Sequence, residues 1–195
     1  MKQLILGITG ASGSLFGLRL LRELVKSSHV FITVSSGALS IIKDEAGLDL
    51  QGNAPEETLK NYAESDAITV YQDTNLNAPI ASGSFRTDGM FIVPCSMKTL
   101  SSVANGMANN LIERSADVTI KEGRRLVLSP REMPLSAIHL ENMLKLSRLG
   151  VTIAPPVPAF YHKPQSMDDI IAFVVGKLLD SMGIPNNLYS RWEGN

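Results

Sequence analysis

Four short segments of the sequence combine small residues, hydroxyl groups and cations, which are the residue types that hold an anionic ligand. These segments are Gly10-Ala11-Ser12-Gly13-Ser14, Ser35-Ser36-Gly37, Cys95-Ser96-Met97-Lys98-Thr99 and Ser129-Pro130-Arg131-Glu132. Glycine lets the backbone approach a ligand closely, and the N–H groups at the start of a helix favour phosphate. We therefore predict a site for a phosphorylated ligand. Tight packing of a strand against a helix is the alternative explanation for the first glycine turn.

Each of these segments follows an apolar run typical of a buried strand. The predicted strands are 4–9, 30–34, 67–71, 90–93, 125–128 and 151–154, and the predicted helices are 15–26, 36–45, 55–62, 99–103, 110–121, 135–149 and 168–182. Alternating strands and helices indicate an α/β fold, here a doubly wound parallel sheet in a Rossmann-like or flavodoxin-like three-layer sandwich. We expect one domain over residues 1–195. The carboxyl ends of its strands should bring the four segments to one edge.

The glycine spacing after the first strand bears on which nucleotide would bind. Gly10-x-x-Gly13-x-x-x-Gly17 departs from the G-x-G-x-x-G fingerprint of dinucleotide-binding proteins. The second strand ends in Ser35 and Ser36 instead of the acidic residue that holds an adenosine ribose. These features favour FMN over NAD or FAD. No tyrosine is followed four residues later by lysine, which argues against a short-chain dehydrogenase.

Composition excludes several classes of protein and site. The net charge of -1 and the absence of long basic runs argue against a nucleic-acid partner. No apolar run reaches the ~18 residues of a membrane span. The single cysteine, Cys95, is compatible with a reducing cytoplasm, and we interpret it as a small buried apolar residue. His29 and His162 lack metal-ligand spacing with each other, so no metal is expected. His139 is expected to pack or cap a helix.

Five motifs, in order along the chain, resemble the UbiX family of flavin prenyltransferases. They are Gly10-Ala11-Ser12-Gly13, Pro94-Cys95-Ser96-Met97-Lys98-Thr99-Leu100, Asn110-Leu111-Ile112-Glu113-Arg114, Pro130-Arg131-Glu132 and Pro158-Ala159-Phe160-Tyr161-His162-Lys163-Pro164-Gln165-Ser166. The resemblance implies transfer of a dimethylallyl group from dimethylallyl phosphate to N5 and C6 of reduced FMN. It implies that UbiD-type decarboxylases use the product, and that the protein is a homo-oligomer, a dodecamer with its sites between subunits. Whether the donor is a monophosphate or a pyrophosphate stays open.

The resemblance also implies roles for individual residues. The implied FMN-binding residues are Gly10, Ala11, Ser12, Ser35, Ser96, Met97, Lys98, Thr99 and Arg131, with Ser36 as an alternative to Ser35. Tyr161 and Lys177 would bind the prenyl phosphate, together with Lys121 and Arg114 from across a subunit boundary. The catalytic candidates are Glu132, Glu45 and Ser12, and the two carboxylates match groups that handle protons.

The chemistry of these residue types agrees with that function, but two alternatives stay open. Cations and a phenol stabilise a phosphate leaving group, and a positioned glutamate can remove a proton. Trp192 would either anchor the tail by packing or cover an aromatic ligand. One alternative is an FMN-dependent decarboxylase of a cysteine-containing peptide or pantothenate derivative, marked by an early catalytic histidine, whereas the first histidine here is His29. The other alternative is a flavin carrier.

Overall fold

The computed structural model describes residues 1–52 and 54–192, which are built around a parallel sheet. The strands are β1 (Lys2–Ile8), β2 (Ser28–Val34), β3 (Ile68–Gln72), β4 (Gly89–Cys95), β5 (Arg125–Pro130) and β6 (Thr152–Ile153). They lie in the order β3-β2-β1-β4-β5-β6, and every neighbouring pair is parallel. This order confirms the doubly wound α/β fold. Its topological switch point lies between β1 and β4.

Helices cover both faces of the sheet. They are α1 (Ser14–Leu24), α2 (Ser36–Ala46), α3 (Pro55–Ala63), α4 (Met97–Ala104), α5 (Leu111–Lys121), α6 (Ala137–Arg148) and α7 (Met167–Ser181). One core joins α1, α2, α3 and α7 to strand residues such as Leu4 and Leu6. The other core joins α4, α5 and α6 to the alternate strand residues, such as Ile5 and Met90. Among the described residues, no helix has both the length and the hydropathy that crossing a bilayer requires.

Two element boundaries near the switch point differ from those predicted from the sequence. Helix α4 begins at Met97 rather than at residue 99, because the Ser96 hydroxyl caps it by accepting a hydrogen bond from the Thr99 N–H (3.2 Å). Strand β4 continues to Cys95, where pairing with β5 resumes after an irregularity that begins at Ile92. Both differences bring the polar segment after β4 directly onto the sheet edge.

A glycine in the middle of α1 lets this helix lie directly on β4. A Cβ atom added to Gly17 would stand 2.2 Å from the carbonyl oxygen of Val93 and 3.2 Å from the Ile8 side chain. Because the obstructing atom is backbone, no rotamer change can relieve the contact. Gly17 therefore fixes the distance at which α1 crosses the sheet, and with it the position of the turn that precedes α1.

We predict that Gly17→Ala lowers the free energy of unfolding by about 2–3 kcal/mol, since the added methyl group forces α1 away from β4. Chemical denaturation monitored by circular dichroism measures this change. Gly52→Ala is the matched control, because its added Cβ meets nothing within 4 Å, and it should change stability by less than ~0.5 kcal/mol. Equal effects of the two substitutions would argue against the close contact.

Candidate active site at the switch point

A buried threonine joins the carboxyl ends of β1 and β4. The Thr9 hydroxyl donates to the carbonyl oxygen of Pro94 (2.9 Å) and accepts from the N–H of Ser96 (2.7 Å). The N–H of Thr9 donates to the same carbonyl (3.2 Å). The N–H of Arg131 extends the connection to β5 by donating to the carbonyl of Cys95 (3.2 Å). The loops after β1, β4 and β5 are thus held side by side.

The predicted flavin-binding residues meet at this edge. Nε of Arg131 donates to the carbonyl oxygen of Ser12 (3.2 Å), which links the Pro-Arg-Glu segment to the first glycine turn. A Cβ on Gly10 would lie 3.2 Å from the backbone of Gly37, so glycine allows the loop after β2 to approach closely. The N–H of Ser35 donates to the carbonyl oxygen of Ile8, the last residue of β1 (2.9 Å). Segments from β1, β2, β4 and β5 therefore converge as predicted.

The amino terminus of α1 is occupied by a carboxylate of the protein itself. Glu45 accepts hydrogen bonds from the N–H of Gly13 (3.0 Å), the N–H of Ser14 (2.8 Å) and the hydroxyl of Ser14 (2.7 Å). Burial alone would raise the pKa of Glu45, but hydrogen bonding by Ser12, Ser14 and Gly13 outweighs it and holds the pKa below the usual 4.5. The N–H groups of Gly13 and Ser14 are therefore not free for phosphate, contrary to our interpretation of the first glycine turn.

The other helix starts at this edge differ in charge. At α2, a carboxylate oxygen of Asp73 accepts from the N–H of Ser36 (3.1 Å). The predicted residues Ser96–Thr99 form the cap and first turn of α4, and that turn contains no acidic residue. Since a helix amino terminus attracts anions unless a carboxylate already sits there, α4 is the terminus best suited to a phosphate group.

The two serines after β2 face different surroundings. Ser36 lines a cavity of about 670 Å³ beyond β2 and β3, away from the switch point. Ser35 lies beside the end of β1, and its side chain makes no capping hydrogen bond to α2. The hydroxyl of Ser35 is therefore the better placed of the two for a ligand at the switch point.

Tyr161 and Lys177 lie on the face of the sheet that α1 and α7 cover. The Tyr161 ring makes edge-to-face contacts with Phe173 (6.0 Å between centroids) and Trp192 (5.9 Å). Lys177 is exposed on α7, one turn beyond Phe173. Both predicted prenyl-phosphate residues thus belong to one surface region.

Arg114 and Lys121 lie on α5, which covers the opposite face of the sheet. Arg114 donates to the carbonyl of Ala81 (3.0 Å) and pairs with Asp117 (2.8 Å). Lys121, at the end of α5, forms an ion pair with Glu122. The sheet therefore separates these two cations from Tyr161 and Lys177, and one chain does not assemble the four predicted phosphate ligands.

The hydrogen bonds and burial of three further residues, Glu132, Cys95 and His139, show what each does in the fold. Glu132 is exposed and accepts a hydrogen bond from the N–H of Met133 (3.1 Å). Cys95 is fully buried, and burial raises the pKa of its thiol well above the usual range, which confirms that it is a small core residue. His139 accepts from the N–H of Ser136 (3.2 Å) and so caps α6, as expected. The described residues include no group of three or more potential metal ligands.

A parallel sheet with glycine- and hydroxyl-rich loops at its switch point defines a nucleotide- or flavin-binding α/β protein. The family model described as Flavoprotein matches residues 1–179. The flavin prenyltransferase UbiX of Methanocaldococcus jannaschii is 47% identical over 190 residues, which cover 97% of this chain and 98% of that protein. The chain belongs to the UbiX flavin prenyltransferases within the flavoprotein family.

Two solved structures are similar over their whole length. The dodecameric FMN-dependent UbiX-like decarboxylase from Escherichia coli O157:H7 has a TM-score of 0.90 and 44% identity, covering 98% of this chain and 100% of that chain. AnUbiX (PadA1), in complex with FMN and dimethylallyl pyrophosphate, has a TM-score of 0.90 and 40% identity, covering 99% of this chain and 98% of that chain. These similarities agree with the fold.

We predict that Glu45→Gln lowers the free energy of unfolding at pH 7 by about 1–2 kcal/mol, because a neutral amide loses the attraction to the α1 amino terminus. The folded-state pKa of Glu45 is depressed, so the advantage of the carboxylate is complete above pH 4.5 and is lost as the pH falls through the lower folded value. Denaturation series between pH 2 and pH 7 would show whether the free energies of unfolding of wild type and Glu45→Gln become equal at low pH.

Glu57→Gln is the control for this experiment. Glu57 is exposed in the first turn of α3, so its removal should cost only a few tenths of a kcal/mol. A stability difference between wild type and Glu45→Gln that stays constant with pH would contradict the capping role.

Proposed function

We propose that this protein transfers a dimethylallyl group from dimethylallyl phosphate to N5 and C6 of reduced FMN and releases prenylated FMN. The observation that carries the proposal is the convergence of the Gly10–Ser12 turn, Ser35, Ser96–Thr99 and Arg131 at the switch point. A structural relative with 40% identity holds FMN and dimethylallyl pyrophosphate. Prenylated FMN would then pass to a UbiD-type decarboxylase.

The donor set at the edge fits FMN. The first turn of α4 would hold the phosphate, since it contains no acidic residue, and the Ser35 hydroxyl would be a further donor to FMN because it makes no capping hydrogen bond to α2. Ser12 and Arg131, joined by a hydrogen bond of 3.2 Å, would hold polar atoms of the flavin ring. When bound, reduced FMN supplies the nucleophilic nitrogen and carbon atoms that accept the prenyl group.

The prenyl phosphate would be bound by Tyr161 and Lys177 of one subunit together with Lys121 and Arg114 of a neighbour. A phenol and three cations are suited to stabilise the charge that develops on the departing phosphate. Glu132 would accept the proton lost when the second bond closes.

Glu45 and Ser12 act next to these groups. Glu45 is a carboxylate at neutral pH because its pKa is depressed. It is therefore suited to orient the Ser12 hydroxyl, while its depressed pKa makes it a weaker base than an ordinary glutamate and leaves it no proton to donate at neutral pH.

An exposed apolar face on α6 supports a homo-oligomer. Leu140 and Leu144, four residues apart and so on one face, are 52% and 51% exposed; Ile138, on another side of the helix, is 68% exposed, and Leu146 is the buried residue of this helix. Exposed apolar residues grouped in this way are typical of a surface that a partner covers. By similarity to the dodecameric relative, we propose a dodecamer of this chain whose assembly brings α5 of one subunit to α7 of another.

The decarboxylase alternative requires a histidine at the site. His29 instead lies near the start of β2, at the amino edge of the sheet, where its Nε2 shares a hydrogen bond with the Thr69 hydroxyl (2.9 Å). The carrier alternative gives no role to Tyr161 and Lys177. We further propose a cytoplasmic location, which suits the free thiol of Cys95.

Anaerobic incubation of the protein with reduced FMN and dimethylallyl phosphate, followed by mass analysis of the extracted flavin, tests the proposal. We expect a flavin heavier by one five-carbon prenyl unit. A parallel incubation with dimethylallyl pyrophosphate identifies the preferred donor. Bound but unmodified flavin in both incubations would overturn the proposal and favour a carrier or a decarboxylase.

We predict that Tyr161→Phe binds FMN normally but transfers the prenyl group roughly 10–100-fold more slowly, since the phosphate loses one hydroxyl donor. The Tyr161 ring contacts with Phe173 and Trp192 do not involve the hydroxyl and should persist. Single-turnover kinetics and flavin titration separate the two effects.

Tyr62→Phe is the matched control for that variant, because the Tyr62 ring lies under Arg22 (4.3 Å), away from the site. This substitution should leave both quantities unchanged. Loss of FMN binding in Tyr161→Phe would mean that the division of the site into flavin and prenyl-phosphate halves is wrong.

A further inference from the structure

The chain that follows α7 turns back along this helix and is held there by one carboxylate. Asp180 accepts hydrogen bonds from Asn186 Nδ2 (2.9 Å), the Tyr189 hydroxyl (2.6 Å) and two guanidinium nitrogens of Arg191 (2.8 and 3.1 Å). Each carboxylate oxygen accepts two of these bonds. All of these bonds join α7 to residues 186–192, which we call the tail.

The packing surface of α7 is shaped for the same tail. A Cβ on Gly176 would stand 2.5 Å from the Tyr189 ring, so glycine leaves the room that this ring fills. The Tyr189 ring also contacts Phe173 edge-on (5.0 Å between centroids). Asn186 Nδ2 donates a second bond, to the carbonyl of Gly176 (3.2 Å).

Charge reinforces this attachment. Arg191 holds the pKa of Asp180 below its usual value, so the ion pair exists throughout the neutral range. Burial, together with the hydrogen bond to Asp180, raises the pKa of Tyr189 to about 12, which keeps its hydroxyl protonated as a donor. A shielded carboxylate with several charge-assisted bonds contributes more than an exposed surface pair.

The attached tail ends beside the proposed prenyl-phosphate residues. Trp192 meets Tyr161 edge to face (5.9 Å) and is 64% exposed, so much of its indole surface is free. Lys177 lies one helical turn before Asp180 on α7. The tail therefore borders the surface that carries both Tyr161 and Lys177.

We propose that Asp180 is a positioning residue that fixes the tail so that Trp192 forms one wall of the prenyl-phosphate site. This inference rests on the proposed function. Asp180 itself touches neither proposed ligand and acts through Tyr189 and Arg191. Loss of its charge should release the tail and weaken binding of the prenyl donor, while flavin binding, which depends on the switch-point residues, should be unaffected.

Asp180→Asn tests this proposal in the full-length assembly. Trp192 is the single tryptophan of the chain, so its fluorescence anisotropy reports on the tail independently of catalysis. We expect a lower anisotropy and a KM for dimethylallyl phosphate that is higher on the order of tenfold, with FMN affinity and kcat changed much less. Asp168→Asn is the matched control, because Asp168 lies on the same helix and pairs only at the surface, with Arg19 (2.9 Å).

Arg191→Gln removes the same ion pair by changing the tail instead of α7. Because Arg191 is 53% exposed, this variant should fold and can replace Asp180→Asn if that variant does not. It should shift anisotropy and KM in the same direction. Unchanged anisotropy and KM in the folded variants would overturn the proposal, as would an equal loss of FMN affinity and kcat. If wild type yields no prenylated flavin, the proposed function fails, while the anisotropy comparison still decides whether Asp180 anchors the tail.

Discussion

The hydroxyl of Thr9 holds together the two strands between which the site opens. Beyond residue 92 the β4 ladder becomes irregular, and Pro94 has no N–H to donate. Thr9 compensates by binding the Pro94 carbonyl and the Ser96 N–H, so these backbone groups stay satisfied although the strands diverge. Thr9 is only 1% exposed, and its bonds are therefore shielded from water. The relative positions of the Ser12, Ser96 and Arg131 segments depend on this connection.

Carboxylates from elsewhere in the fold then determine where an anion can bind. Glu45 neutralises the amino terminus of α1, and Asp73 does the same at α2. A phosphate beside either carboxylate would meet like charge, whereas the first turn of α4 contains no acidic residue. Of the three helix starts at this edge, the start of α4 is thereby the one suited to phosphate. The glycine turn before α1 is left free to approach the uncharged part of a ligand.

Local patterns in the sequence predict the strands, the helices and the segments that meet at the switch point, because these depend on periodicity and on the parallel topology. They do not show that Thr9, Asp73 and Asp180 each join separate segments of the chain. Thr9, for example, bonds to Pro94 and Ser96, which lie far along the chain. The earlier start of α4 was predictable, because Ser96 and Thr99 have the spacing of a helix cap. Nothing in the sequence of the loop after β3 indicates that its first residue, Asp73, accepts a hydrogen bond at the start of α2.

The sequence also does not show that Lys121 and Tyr161 lie on opposite faces of the sheet, and the reason here is topological. Helical periodicity shows which side of a helix is buried, but it does not show which face of the sheet the helix covers. That face follows from strand order: right-handed crossovers leading from β1 to β2 and from β4 to β5 run in opposite directions and place their helices on opposite faces.

Helix α7 packs in the same core as α1, so the cations carried by α5 and α7 do not converge within one subunit. Under the proposed function, oligomerisation completes the phosphate site. The exposed apolar face of α6 gives such an assembly its driving force.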